Sequence, residues 1–312
     1  MTTTTAAPGR SVRRPADRAF AGSAKGAGVL IVVILAGVAG FLLTEAWPAI
    51  VAPADQIPGG EGLLVYVAPL VFGTLYSAAL ALLLATPLAV GIALFISHYA
   101  PRRLASPLGY VVDLLAAVPS IIYGLWGLAV VAPRLGQLGV WLEENLGFVP
   151  LFAGPASATG RTMLTTAVVL AVMILPIITA VSREVFLQTP RLHEEAALAL
   201  GATRWEMIRM AVIPFGKPGV ISAAMLGLGR ALGETMAVAI VLSVSGGITF
   251  TIVTAGNPAT IAANIALQFP ESTGVAVNTL IFSGLVLFAI TLAVNMFARW
   301  IIARRAEFSG AN

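Results

Sequence analysis

Long apolar runs separated by short polar segments dominate the chain from residue 28 onward. Six runs approach or exceed the roughly 20 residues that an α-helix needs to cross about 30 Å of hydrocarbon. We predict membrane-spanning helices over residues 28–46, 69–97, 108–132, 163–181, 219–243 and 275–300. The pattern therefore predicts an all-α, polytopic membrane protein whose core is formed between six helices.

The segments around this apolar block predict the domain organisation. Residues 1–27 are rich in Thr, Ala, Gly and Arg without apolar periodicity, which is typical of a flexible tail. The first apolar run is followed by several more, so we interpret it as a retained span and not as a signal peptide. We predict a tail over residues 1–27, a transmembrane domain over residues 28–300 with a long loop at 182–218, and a second tail over residues 301–312.

Composition and charge support this topology. The chain is 58% hydrophobic and 10% charged, whereas a soluble domain carries about 25% charged residues. Of the 18 Lys and Arg residues, 15 lie in the first tail, in segments 97–107 and 182–218, and after residue 298. Because basic loops face the cytosol, both termini are predicted to be cytosolic, and the basic residues need no nucleic-acid partner to explain them.

Few residues suit catalysis or metal binding. Cysteine is absent, which excludes disulfides and thiolate sites. His98 and His193 fall in separate loops, where we predict that both are solvated. We therefore predict no catalytic residue and no metal site.

The loop over residues 182–218 contains two helix-like segments on either side of Gly201, with Pro190 and Pro214 bracketing the pair. The first segment carries an apolar ridge that includes Leu192 and Leu200. A short amphipathic pair of this kind either lies on lipid or docks into a groove of a cytosolic partner.

Within this loop, EAALALGATRWEMIRMAVIP resembles the EAA loop of bacterial ABC-importer permeases, whose pattern is EAA, three residues, Gly, nine residues and Ile-x-Leu-Pro. Matching residues at the right spacing are Glu195, Ala196, Ala197, Gly201 and Pro214. Ala211 and Ile213 replace the Ile and Leu of the pattern. The resemblance implies the type I ABC-importer permease fold and a loop that couples the spans to an ATPase subunit.

Longer stretches resemble the PstC-type permeases of phosphate-specific importers, and the PstA-type permeases are the competing assignment. These stretches are TPLAVGIALFISHYAP, LLAAVPSIIYGLWGL and MLGLGRALGETMAV. The resemblance implies a permease subunit of the bacterial inner membrane that pairs with a PstA-type permease, two copies of a PstB-type ATPase and an extracytoplasmic PstS-type phosphate-binding protein. It also implies that this chain is not an enzyme and holds no cofactor, since ATP-Mg binds to the partner ATPase.

The chain has no P-loop of its own, because Gly216-Lys217 is followed by Pro218. Two alternatives to phosphate import remain open. One is import of another oxyanion, such as sulfate or molybdate. The other is a self-sufficient secondary transporter or channel, for which a docking loop of this kind would have no use.

Arg230 and Glu234 stand out inside the fifth predicted span. On a continuous helix they would lie four residues apart on one face. A surface pair of this kind contributes only about 0.2–0.5 kcal/mol, whereas an arginine at the bilayer centre costs about 2.5–3.5 kcal/mol on insertion scales. We therefore favour an anion path that includes Arg230 and Glu234, with Thr235 and Ser120 as further lining candidates, over a purely structural ion pair.

Overall fold

The computed structural model describes residues 15–245 and 247–306. Helices account for most of this part of the chain, and it contains no strand longer than an isolated bridge between Val244 and Asn257. The α-helices are α1 (Pro15–Val51), α2 (Leu63–Leu94), α3 (Arg102–Ala116), α4 (Ser120–Trp126), α5 (Ala132–Leu146), α6 (Met163–Leu187), α7 (Arg191–Ala199), α8 (Arg204–Met207), α9 (Ile213–Leu232), α10 (Met236–Val241), α11 (Ile261–Gln268) and α12 (Val275–Ala306).

Six helical stretches of the described chain are long and apolar enough to cross a membrane, which confirms the predicted all-α architecture. They are Ala19–Val51, Leu63–Tyr99, Ser120–Leu146, Met163–Leu187, Arg204–Leu232 and Val275–Trp300. Three π-helical turns extend or join them: Phe95–Tyr99 after α2, Gly127–Val131 between α4 and α5, and Ile208–Val212 between α8 and α9.

The centre of the bundle is α6, which packs against α2 and α9. An alanine stripe on α2 faces this core and is fully buried: Ala78, Ala81, Ala85, Ala89 and Ala93. Because alanine has a single methyl group, these positions allow close packing of helix backbones. The outer helices α1 and α12 pack against each other, and α1 is exposed along most of its length.

Contacts of glycines show that α9 runs antiparallel to α6. Gly216 faces Phe186 near the end of α6, and Gly227 faces Ile178 three turns further on. We call the end of the bundle where α6 ends the loop face, since residues 188–203 lie there, and the other end the opposite face. Arg230, one turn beyond Gly227, therefore lies beside the middle of α6.

The third span differs from its prediction. The structure breaks the helix between Ala116 and Ser120, so that α3 is a separate amphipathic helix and the span runs from Ser120 to Leu146. Pro119 lacks the N–H needed to continue a helix and disfavours helical geometry at Val118. Residues 133–146, which the predicted boundaries place in the loop after this span, are instead its end.

The fifth span differs in a similar way. It was predicted over residues 219–243, but it begins at Arg204 and ends at Leu232. Pro214 does not end the second loop helix as predicted, because it occupies the second position of α9 directly after the π-helical turn. There the widened turn tolerates the missing N–H.

The predicted tails are only partly described. Residues 1–14 and 307–312 lie outside the described residues, as does residue 246. From Pro15 the chain is helical, so α1 begins within the segment that was predicted to be a flexible tail.

Candidate functional site

The loop between α6 and α9 forms a helical hairpin. Gly201 has φ +87°, in the left-handed region that favours glycine, and it ends α7 in the manner of a glycine C-terminal cap. Thr203 then starts α8, where its Oγ1 accepts a hydrogen bond from the backbone N–H of Glu206 at 3.3 Å. Glu206 Oε2 accepts the backbone N–H of Thr203 at 2.8 Å in return, which completes a capping box. The sequence thus fixes a tight turn at Gly201.

Apolar residues on this hairpin are exposed, as predicted. Leu192 is 73% exposed and Leu200 is 89% exposed. Glu195 and Ala196 on α7 are also exposed, whereas Ala197 packs against the cluster of Phe186, Ile208 and neighbouring residues. One side of α7 therefore rests on the bundle, and the other presents an apolar ridge.

His98 holds the hairpin against α2. Its side chain is 8% exposed and its Nε2 lies 3.5 Å from Oε1 of Glu194 on α7. Ser97 Oγ lies 2.7 Å from His98 Nδ1 on the other side of the ring. The prediction that His98 is solvated is therefore wrong, while His193 is exposed as expected. The two partners are 96 positions apart, so no local pattern could have revealed the contact.

Arg230 and Glu234 do not form the predicted helical pair. Since α9 ends at Leu232, Glu234 lies in the break before α10 and not one turn above Arg230. Glu234 is 7% exposed, and its Oε1 accepts the backbone N–H of Ala237 at 3.0 Å. Arg230 is partly buried and makes no ion pair or hydrogen bond with any other described residue.

The break before α4, at residues 117–119, and the break before α10, at residues 233–235, lie close together. Helix α4, which follows the first break, packs on α10, which follows the second. A Cβ on Gly124 of α4 would lie 2.9 Å from Cα of Ala237 on α10, so glycine is needed for this approach. Tyr123, next to Gly124, lies close enough to Arg230 for an electrostatic interaction. The structure thus brings Arg230 to the junction of two interrupted spans.

The remaining predicted lining residues are near these breaks. Ser120 is the first residue of α4 and is partly buried. Thr235 lies in the second break, where its hydroxyl donates to the carbonyl oxygen of Gly233 at 3.2 Å. No hydrogen bond joins Ser120, Thr235, Arg230 and Glu234 to one another within the described chain.

Small residues of α9 separate onto two faces. Ala223, Gly227 and Ala231 are buried within the chain, where a Cβ on Gly227 would lie 2.8 Å from the side chain of Ile178. Gly229 and Gly233 are exposed, and a Cβ on Gly229 would meet no other described atom within 4 Å. Of these five residues, only Gly229 and Gly233 are free to receive another helix.

Comparison with known proteins gives consistent matches. The family model for inner membrane components of binding-protein-dependent transport systems matches residues 85–307. The phosphate transport system permease protein PstC 2 of Mycobacterium tuberculosis is 46% identical over 306 residues, covering 92% of this chain and 91% of its own. PstC of Mycobacterium leprae is 45% identical over 324 residues, covering 97% and 98%, and PstC of Mesorhizobium japonicum is 38% identical over 315 residues, covering 96% and 95%.

The chain belongs to this family, among its PstC-type permeases. It is therefore a multi-pass permease subunit of the inner membrane. The crystal structure of a bacterial ABC transporter involved in the import of the acidic polysaccharide alginate contains a similar chain, with a TM-score of 0.56, 17% identity, and coverage of 91% of this chain and 98% of that one. This likeness confirms the ABC-importer permease fold.

On the opposite face, the permease has a hydroxyl-lined cleft that sequence reasoning missed. Its volume is about 720 Å³, and its polar lining consists of Ser157, Thr159, Ser243, Thr249, Thr251 and Thr254. The loop between α5 and α6 meets the loop between α10 and α11 to form this cleft, since the backbone N–H of Ser157 donates to the carbonyl oxygen of Val253 at 2.8 Å. Arg161 fastens α10 beside it by donating to the Leu242 carbonyl oxygen at 3.3 Å. The threonine-rich string TFTIVT was the only signal, and composition alone does not reveal that two loops would converge.

Proposed function

We propose that this permease subunit forms the translocation path of an ATP-driven importer of inorganic phosphate, with Arg230 as the anion-binding group of the path. The observation that carries the proposal is the position of Arg230: it lies beside the middle of α6, at the junction of two broken helices, without a carboxylate partner. The names of the PstC relatives support phosphate as the anion.

A guanidinium without a protein partner suits a passing oxyanion. It offers a planar fork of N–H donors that matches two phosphate oxygens. A single arginine without further cations also favours release, because conduction requires that binding stay weak enough for the ion to leave. Ser120 and Thr235 are proposed as neutral lining groups that supply additional hydrogen bonds.

Glu234 takes a different role in this proposal. Its carboxylate accepts a backbone N–H of α10 and is not paired with Arg230. We therefore assign Glu234 to holding α10 in place at the helix break, where it leaves the guanidinium available to the anion.

The loop face is proposed to be cytosolic, with both termini on that side, because 15 of the 18 Lys and Arg residues lie in the sequence segments that were predicted to be cytosolic. The exposed ridge of α7 would then dock into a PstB-type ATPase, with Glu195, Ala196, Ala197, Gly201 and Pro214 shaping the hairpin. ATP-Mg would bind to the two ATPase copies. A PstA-type permease would complete the path, and a PstS-type protein would deliver phosphate at the opposite face.

Reconstituted transport tests the proposal. Proteoliposomes that contain this chain, its partner permease and the ATPase, with binding protein outside and ATP inside, are expected to take up radioactive phosphate. Excess sulfate or molybdate should not compete. Preferential uptake of sulfate or molybdate would show that this ion, and not phosphate, is the substrate. Uptake by this chain alone under an ion gradient would refute the ATP-driven mechanism.

A further inference from the structure

A second cleft, which has a basic lining, lies on the loop face. Its volume is about 550 Å³, and it is formed by the π-helical turn after α2, by α3, by the end of α6 and by the start of α7. Its charged lining residues are Arg183, Arg191 and Asp113, and its hydroxyl groups include those of Ser97, Ser106 and Tyr110. Two cations face one carboxylate, so the lining carries a net positive charge.

Arg183 is built into this cleft but lacks a strong partner. Its side chain is 21% exposed, and its Nε is buried without a hydrogen bond. Its only ion pair among the described residues is a 3.9 Å contact with Glu184, whose side chain is 62% exposed, and exposed pairs of this kind contribute little. Because a buried donor without a partner costs about 1–3 kcal/mol, the site favours a ligand that accepts hydrogen bonds.

Gly109 on α3 makes room for this guanidinium. A Cβ on Gly109 would overlap the terminal nitrogen of Arg183, so the lack of a side chain at this position leaves room for the guanidinium directly against α3. Asp113, one turn further along α3, is exposed and does not pair with Arg183. The guanidinium thus lies against α3, and its only carboxylate contact among the described residues is the 3.9 Å contact with the exposed Glu184.

The other side of α3 is suited to lipid. Its exposed apolar residues are Leu104, Val111, Leu114 and Leu115, and a helix that is apolar on one side and polar on the other lies in a membrane interface. The cleft therefore opens beside a surface where phospholipid headgroups are expected. Basic pockets between helices on the cytosolic side of a membrane are a common form of anionic-lipid site.

We propose that this cleft binds a phosphate group, with Arg183 as the principal ligand and Arg191 and Ser106 as additional donors. The apolar side of α3 favours the headgroup of an anionic phospholipid as its source. Free inorganic phosphate offers the same charged oxygen acceptors and is the alternative source of the bound phosphate group. The site is separate from Arg230 and does not depend on the proposed transport path.

Binding measurements on the purified complex with its partner subunits test the proposal. In one arm, the complex is placed in phosphatidylcholine nanodiscs with increasing phosphatidylglycerol, and bound phosphatidylglycerol is quantified by native mass spectrometry. In the other arm, radioactive inorganic phosphate is titrated into phosphatidylcholine nanodiscs by equilibrium dialysis. Saturable binding in the first arm identifies the lipid, and binding in the second that survives Arg230→Gln identifies free phosphate.

Three variants decide whether the cleft is the site. Arg183→Gln should weaken binding about tenfold, the loss expected for one charge-assisted hydrogen bond. Asp113→Asn should strengthen it, because it removes the only acidic group of the lining. Arg103→Gln removes an exposed charge of α3 outside the cleft and should change little. Equal effects of Arg183→Gln and Arg103→Gln in both arms would overturn the proposal. If Arg183→Gln does not assemble, failure of Asp113→Asn to strengthen binding of either probe would do so.

Discussion

His98 Nε2 lies 3.5 Å from Glu194 Oε1, and this contact joins the end of the second span to the first helix of the loop hairpin. The imidazole is largely buried, and the apolar cluster of Leu94, Phe186 and Ile208 packs nearby. A polar contact as well as apolar packing therefore connects α7 to the end of α2. If α7 docks on the ATPase as proposed, α2 is one of the first spans to respond.

We predict that His98→Ala lowers the amount of phosphate transported per ATP hydrolysed while the complex still assembles. Loss of a coupling energy of about 1 kcal/mol would change the population of the attached hairpin about fivefold. The measurement is uptake and ATP hydrolysis in the same proteoliposomes.

The matched control for this prediction is His193→Ala, since His193 is exposed on the same helix. The double variant His98→Ala with Glu194→Ala should transport as much phosphate per ATP hydrolysed as either single variant, because each substitution removes the same contact. Fully additive effects of the two substitutions would show that the residues act independently.

Gly201 should be sensitive to backbone strain and not to side-chain size. A Cβ there would meet no atom of the described residues within 4 Å, but φ is +87°. We predict that Gly201→Val uncouples ATP hydrolysis from uptake, while Gly201→Asn is mild because asparagine tolerates left-handed geometry. Uptake and hydrolysis assays of the two variants check this, and equal defects would point to a size-sensitive partner contact at this turn.

The number of spans and the loop hairpin could be predicted from the sequence because each depends on a local signal. Apolar runs report membrane burial, and Gly201 between two helix-like segments reports a turn. The boundaries of the third and fifth spans could not be predicted in this way. Pro119 and Gly233 lie inside apolar stretches, and both residues are tolerated in transmembrane helices when neighbouring groups satisfy the backbone.

The same limit applies to the site. Arg230 was recognisable because a lone arginine in an apolar run is costly. The role of Glu234 was not, because the predicted pair with Arg230 assumed a continuous helix. Contacts such as His98 with Glu194, or Arg183 against Gly109, depend on tertiary packing between distant segments.

Glu234→Gln should retain most of the transport activity, because an amide oxygen can still accept the Ala237 N–H. Glu234→Ala leaves the buried N–H of Ala237 without this acceptor, which is expected to cost about 1–3 kcal/mol, and it should lower both the thermal stability of the complex and uptake. The measurements are a detergent thermostability assay and phosphate uptake. A Gln variant as inactive as the Ala variant, yet as stable as wild type, would show that the negative charge itself is required.

Arg230→Ala is predicted to abolish phosphate uptake while leaving assembly intact. The arginine makes no ion pair within the described chain, so its removal leaves no buried carboxylate unpaired. Arg230→Lys should retain partial activity, because it keeps the charge but loses the planar fork of donors. Co-purification with the partner subunits checks assembly. Normal uptake by Arg230→Ala would exclude the residue from the anion path.

The two small-residue faces of α9 give the final prediction. Gly227→Leu should destabilise the chain by about 1–3 kcal/mol or more, because the new side chain would overlap Ile178 in a packed core. Gly229→Leu should leave the fold of the chain intact, since its position is open and leucine favours helix more than glycine does. If Gly229 and Gly233 receive a helix of the second permease, however, the leucine would prevent close approach. We therefore expect Gly229→Leu to reduce co-purification of the second permease at normal thermal stability of the isolated chain, whereas normal co-purification would place the permease interface on another face.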